Sequence, residues 1–318
     1  MRPSFRKTVV GLLVAAIIGL PAGAGELFQA DVSAGCGAIS GDTEYRIGGR
    51  VRNAGGTYVT HFPVSKLDFP IDAYVLSLNA EIAFLNSLVC SFSWATDLSS
   101  DPDDMRDYDW IDSPDELTIY SESDLDMETD TLSGKIQYRF PAIGLGRLPL
   151  FFSDADRLRL LAGAGYLYRQ LDFEAGDTWQ TYPGGSRQDV FVPGRTLNYS
   201  VEYRIPFLEL GARLETADNI TVECSAGYSP YVDATDKDRH LTRNLTSRAD
   251  CDGDAWLLSF RGSYPFLERW YGALSLSQIY IEADGTADTY INDSWSYSIE
   301  EDMESDQFTA LLEVGVRF

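Results

Sequence analysis

Apolar side chains occupy every second position along much of the chain. In YVLSLNAEIAF (74–84), Tyr74, Leu76, Leu78, Ala80, Ile82 and Phe84 alternate with residues that include Ser77, Asn79 and Glu81. The pattern returns at 132–140 (Leu132, Ile136, Tyr138, Phe140), at 158–166 (Leu158, Leu160, Ala162, Ala164, Tyr166) and at 256–264 (Trp256, Leu258, Phe260, Tyr264). It returns again in FTALLEVGVRF (308–318). Strict alternation is the pattern of a strand with one apolar and one polar face, and long helical periodicity is missing. Segments of this kind predict about ten strands, near 28–48, 58–84, 88–110, 128–141, 156–175, 196–214, 219–238, 250–265, 269–284 and 305–318. Connections near 85–87, 215–218 and 265–268 are short. Those near 110–128, 175–195, 238–250 and 284–304 are long and polar. The expected fold is therefore all-β: a ten-stranded antiparallel transmembrane barrel with short periplasmic turns and long outer loops. A soluble, exported β-sandwich is the competing architecture.

Targeting agrees with the barrel. Arg2, Arg6 and Lys7 precede the apolar run VVGLLVAAIIGL (9–20), and Ala22 and Ala24 mark a small-residue cleavage site. Residues 1–24 are expected to be a signal peptide, leaving a single barrel domain over 25–318. The run is too short to cross a bilayer as a helix. Formal net charge is −24 and becomes −27 once the three leader cations are removed. This argues against nucleic acid as a partner and favours cationic ligands. Cys36, Cys90 and Cys224 fall on the apolar, outward parity of three strands that are not neighbours, and Cys251 lies towards the other end from Cys224. No intramolecular disulfide is expected.

Two clusters carry candidate chemistry. In DPDDMRDYDWIDSPDE (101–116), Asp107 and Asp109 are two apart and share one strand face. The even positions Cys90, Phe92 and Trp94 are apolar, so the odd positions, these aspartates included, should face the lumen. Two adjacent carboxylates repel, one pKa rises, and such a couple can hold a water. In YSPYVDATDKDRHL (228–241), Asp238 and His240 are also two apart, and a carboxylate beside an imidazole raises its basicity and orients it. The bland reading of both is a solvated acidic loop. On this strand Ile220, Val222, Cys224, Ala226 and Tyr228 make the even positions outward. Asp238 and His240 reach the lumen only if the parity switches, and Pro230 is a natural place for a bulge.

These segments resemble the omptins, a family of outer-membrane proteases built on a ten-stranded barrel. RDYDWIDS (106–113) is similar to the family segment Asp-x-Asp-Trp-Met-Asp-Ser, and ATDKDRH (234–240) to its Asp-Asn-Asp-Glu-His segment. VSKLDF (64–69) is similar to Val-Ser-Gln-Leu-Asp-Trp, while IPFLELGARL (205–214) and AGYLYR (164–169) follow the family more loosely. The resemblance spans essentially the whole mature chain. It implies an outer-membrane endopeptidase whose active site faces the exterior. Asp107 and Asp109 would form an aspartate couple and Asp238 and His240 a dyad, with a water activated between them. No metal, cofactor or covalent intermediate is implied. Basic substrates are implied by an acidic pocket, in which Asp236 matches one position. The other aligns with Tyr45, one place from Glu44, which could take that part only if a bulge corrected the register. The resemblance also implies lipopolysaccharide bound on the outer wall. Tyr166 matches that pattern, but Tyr168 and Gln170 stand where the family has an acidic and a basic residue.

Three other readings remain open from the residues. One is a non-enzymatic surface barrel, an adhesin or structural protein. One is a cation site at Asp101, Asp103, Asp104 and Asp107, although the run lacks a Gly-bearing loop of known spacing. The last is a passive porin, for which ten strands leave little room once Glu81, Arg157, Arg159 and Glu313 point inward.

Overall fold

A computed structural model describes residues 28–52, 58–85, 87–111, 116–145, 156–185 and 188–318; the expected signal peptide lies outside them. Twelve strands form one antiparallel sheet: β1 (Phe28–Arg52), β2 (Tyr58–Phe84), β3 (Leu88–Ser100), β4 (Met105–Asp109), β5 (Ile119–Arg139), β6 (Ile143–Gly144), β7 (Arg157–Thr181), β8 (Val190–Glu215), β9 (Thr221–His240), β10 (Leu245–Pro265), β11 (Trp270–Ile291) and β12 (Ser294–Arg317). β1 pairs with β12, and β5 pairs with β7. β3 and β4 both lie between β2 and β5 as two parts of one stave, and the two-residue β6 pairs only with β7 outside the ring, so the sheet closes into a ring of ten. Closure satisfies every backbone ladder and removes the sheet edges, which a bilayer would otherwise penalise.

The staves are taller than the alternation implied. β1, β2, β7 and β8 run 25 to 27 residues, against the roughly 9–11 that cross a bilayer. Much of the sequence expected as long outer loops continues as strand. β9 and β10 are joined by 241–244, and β11 and β12 by Asn292 and Asp293, both at positive φ. The misreading has a physical cause. Near the short-turn end the outward positions are apolar, as at Phe308, Leu312 and Val314 on β12 and Phe318 just after it. Towards the loop end the same outward parity carries Asp302, Glu304 and Asp306, while Met303 and Ser305 are buried inside. The apolar face changes sides and the strand continues.

Tyr74, Tyr166, Tyr228, Trp256 and Phe308 are exposed where this change occurs, as an aromatic belt at a membrane boundary would be. Below that level the lumen is filled by ion pairs: Arg261 with Glu313 at 2.5 Å, Arg139 with Glu81 at 2.6 Å and Lys135 with Glu209 at 3.1 Å. Above it the barrel has an apolar core. Phe69 stacks on Tyr199 with ring centroids 4.7 Å apart and lies 5.0 Å from Phe173. Leu67, Ile71, Leu171, Val232 and Ile281 are buried in the same cluster. This core is the floor of the candidate site.

Cys36, Cys90 and Cys224 are exposed thiols on β1, β3 and β9; Cys251 is a buried thiol on β10.

Candidate active site

β4 brings Asp107 and Asp109 to the inner face. Asp107 pairs with Leu67 and Asp109 with Ser65 of β2, and Leu67 is 2% exposed within the core. The inward direction expected from parity is met by a cancellation. From Val75 to Asp68 β2 advances seven positions, while the opposing chain advances nine, from Asp97 to Arg106. One excess is the bulge around Leu98, which is exposed; the other lies in the segment 101–104. Each alone would have turned the couple outward.

Ser65 donates its hydroxyl to Asp107 Oδ1 at 3.5 Å. Burial pushes the Asp107 carboxyl well above the usual aspartate range, and neighbouring Asp109 pushes it further. Burial raises Asp109 as well, against the opposing effects of Ser65, Arg243 and His240. Two carboxyls raised together in this way retain a proton between them near neutral pH.

β9 carries the dyad, and it contains the parity switch. Against β8, five steps of β9 (Tyr228 to Asp233) oppose four (Arg204 to Leu208). Against β10, three steps (Ser229 to Val232) oppose two. Both neighbours therefore place one extra residue at Pro230–Tyr231, where consecutive side chains are exposed. Ser229 donates its hydroxyl to the Tyr231 carbonyl at 2.6 Å. Beyond the bulge Val232, Ala234, Asp236 and Asp238 are buried.

His240 Nε2 lies 3.0 Å from Asp238 Oδ2, with the Asp238 side chain 3% exposed. On the other ring nitrogen, Arg243 Nη2 lies 3.3 Å from Nδ1. A guanidinium only donates, so Nδ1 accepts and the proton sits on Nε2, facing Asp238. Burial draws the His240 pKa down, but the charge and hydrogen bond of Asp238 outweigh it, and the imidazole ends above its ordinary value. Asp238 and His240 are near enough to Asp107 to act on its carboxyl electrostatically, His240 lowering and Asp238 raising its pKa. The four residues singled out in sequence thus converge at the mouth of the barrel, one pair from each side.

Asp236 lies below the dyad. The Ala249 amide donates to its Oδ1 at 3.0 Å, and burial followed by Asp238 raises its pKa. Glu44 is not in this groove. β1 has no register shift before Ile47, so Tyr45 turns inward, 1% exposed. Glu44 turns outward, bound to Lys66 at 2.7 Å and Arg46 at 2.9 Å. The bulge that its substitution required is absent at that position. Two further residues at the site were not singled out in sequence: Arg243, in the β9–β10 connection, and buried Glu301 of β12. Glu301 had a readable signal, since it shares the inward parity of Glu313 on the same strand.

Among the described residues no group of three or more His, Cys, Asp or Glu side chains is placed to hold a metal ion. Asp101, Asp103 and Asp104 are exposed. On the outer wall Tyr166 is exposed, while Arg169 turns inward to Thr131 and Gln307.

Comparison with known proteins adds to this geometry. The barrel matches the crystal structure of the outer membrane protease OmpT from Escherichia coli with TM-score 0.72 at 18% identity, over 91% of this chain and 97% of that one. Weaker matches are the outer membrane protein OprG from Pseudomonas aeruginosa (TM-score 0.39, 9% identity, 92% and 97% covered) and the translocator domain of the autotransporter NalP from Neisseria meningitidis (0.37, 11%, 99% and 96%). No curated protein sequence matches. The Omptin family profile matches residues 31–304. That span covers most of the chain, both acidic segments included, and this chain belongs to the omptin family.

Proposed function

We propose that this chain is an outer-membrane endopeptidase of aspartic type that hydrolyses peptide bonds with an activated water, next to basic residues, at a site facing the exterior. The observation that carries the reading is the convergence of Asp107–Asp109 and Asp238–His240 at one groove mouth. The solved structure whose fold this barrel shares is an outer membrane protease.

Once Arg243 turns from Nδ1 towards the substrate, water held between the pairs gives its proton to His240 Nδ1 as its oxygen attacks the scissile carbonyl carbon. Asp238 holds the ring through Nε2 and stabilises the imidazolium. The proton retained by the aspartate couple donates to the developing oxyanion, and Arg243 adds positive charge beside it. When the tetrahedral intermediate collapses, the C–N bond breaks and His240 returns its proton to the leaving amine. Asp236 in the groove favours a basic side chain, and the net charge of the protein favours encounter with basic peptides. Anionic lipopolysaccharide on the outer wall is a proposed partner, and added lipopolysaccharide a proposed requirement for activity.

The test is cleavage of a fluorogenic peptide containing Arg-Arg by refolded protein, with and without lipopolysaccharide, compared with His240→Ala. Cleavage by the wild type and its loss in the variant support the dyad. Equal rates would remove it from the chemistry. Absence of cleavage by either would favour a barrel kept for binding alone.

A further inference from the structure

Three carboxylates, Asp236, Asp238 and Glu301, are buried together in the upper barrel, at 6%, 2% and 2% exposure. Among the described residues His240 is the one cationic side chain paired with any of them. Among the described residues no Lys or Arg is paired with Asp236 or Glu301. Asp236 Oδ2, Asp238 Oδ1 and Glu301 Oε2 have no well-formed hydrogen bond among the described residues; Asp236 and Glu301 lean on each other and on the hydroxyls of Tyr199 and Tyr45. Unsatisfied buried oxygens and uncompensated buried acids are costly. A cluster of both survives folding most readily where a ligand supplies the missing donors and charge.

Inner positions of β10 and β11 at this level carry small side chains: Ala249, Cys251, Ala283 and Ala287, with Gly285 between the last two. Glu301 of β12 pairs with Ile47 of β1 and Gly285 of β11. It can therefore act on Asp236 across two intervening strands: Asp236 raises the pKa of Glu301, while the hydrogen bond between them lowers that of Asp236. Tyr45 and Tyr199 stand together with ring centroids 5.4 Å apart, and Asp236 and Glu301 act on both hydroxyls.

We infer that Glu301, and no residue of β1, is the second acid of the specificity pocket, and that it and Asp236 clasp the guanidinium of an arginine preceding the scissile bond. The inference rests on the endopeptidase reading and deepens it. Arginine fits better than lysine. Its five N–H donors fan out in a plane, matching several separated acceptors and stacking on aromatic rings, whereas an ammonium is a compact point charge. The cluster is buried, so parting the side chains around it belongs to binding. Burial first, and then the charge of Asp238 on Asp236 and of Asp236 on Glu301, hold both carboxyls above the ordinary range. The pair therefore keeps a proton that an entering guanidinium displaces. The sign follows: arginine binding tightens as pH rises, because only ionised carboxylates pair with the cation, and a neutral side chain shows no such dependence.

The first measurement is binding, which does not need turnover. An arginine peptide with a reduced, uncleavable bond is titrated calorimetrically into wild type, Glu301→Gln and Glu44→Gln, in two buffers of different ionisation enthalpy. Wild type and Glu44→Gln should bind with proton release. Glu301→Gln should bind on the order of 30- to 1000-fold more weakly, with release reduced. The second measurement is kcat/KM on peptides with Arg, Lys, citrulline or Leu before the scissile bond. Glu301→Gln should raise KM for Arg and narrow the Arg-to-citrulline ratio, and an unchanged far-ultraviolet circular dichroism spectrum shows that the variant is folded. An unchanged Arg-to-citrulline ratio in Glu301→Gln, or no binding of the arginine peptide to wild type, overturns the inference. Binding that depends on Glu301 without any cleavage supports the pocket and sinks only the hydrolytic reading.

Discussion

The two halves of the barrel solve opposite problems with one strand pattern. In the lower half Leu312 and Val314 face outward and Glu313 is buried inside against Arg261. In the upper half of the same strand Asp302 and Glu304 face outward and Met303 is buried inside. Lipid below demands an apolar exterior, so the polar residues fill the lumen and must pair there. Water above accepts an acidic exterior, so the lumen can take an apolar core of Phe69, Phe173 and Tyr199. The site lies on that upper core. A dry, rigid floor raises the Asp107 and Asp236 carboxyl pKa values and fixes the side chains above it, whereas the lower half faces lipid.

The sharpest contrast is chemical. His240→Ala should lower kcat/KM by roughly 10²- to 10⁴-fold and leave the far-ultraviolet circular dichroism of the barrel unchanged. Glu313→Ala should cost about as much as any substitution in the lower lumen, roughly 3–5 kcal/mol, since Arg261 is left unpaired. Phe69→Ala should cost a similar ~3–5 kcal/mol above. The two differ in rescue. In urea unfolding from bilayers, the double variant Arg261→Met with Glu313→Leu should recover most of the loss, while no charge change restores Phe69→Ala. If the double variant is as unstable as the single, the lower pairs do more than satisfy each other.

The outward face offers a matched pair. Leu312→Arg should destabilise by about 2–4 kcal/mol because it faces lipid. Asp284→Arg, exposed on β11, should stay within ~0.5 kcal/mol because it faces water. Equal costs would show that the boundary has been placed at the wrong height. The smallest expected effect is on pH. His240 must be neutral to accept a proton, so kcat/KM should rise as pH climbs through its elevated pKa. Asp238→Asn removes the group that lifts it and leaves burial to lower it, so the acid limb should move to lower pH. An unmoved limb would assign that ionisation elsewhere.

Several elements of the fold and site were legible in the residues. Alternation gave the ten staves, and Pro230 marked the place where β9 had to bulge for Asp238 and His240 to turn inward. The loop-end strands were misread because their composition is polar, and a strand with water on one face and a core on the other looks like a loop when lipid is assumed outside. Glu44 illustrates a limit of reading by type. It is acidic and adjacent to the expected place, yet one residue of register puts it on Lys66 and Arg46 instead.

By itself the sequence determined what is local and periodic: the strands, their apolar faces, the two acidic segments and the types of residue that could activate a water. The tertiary structure decided everything that depends on summed register around a closed ring. Asp107 and Asp109 face inward because two excess residues cancel. Glu301 meets Asp236 because the small inner side chains of the two strands between them leave a path. Side-chain direction in a sheet has a period of two, so each insertion reverses it, and which insertions occur is settled by pairing with neighbours far away in the chain.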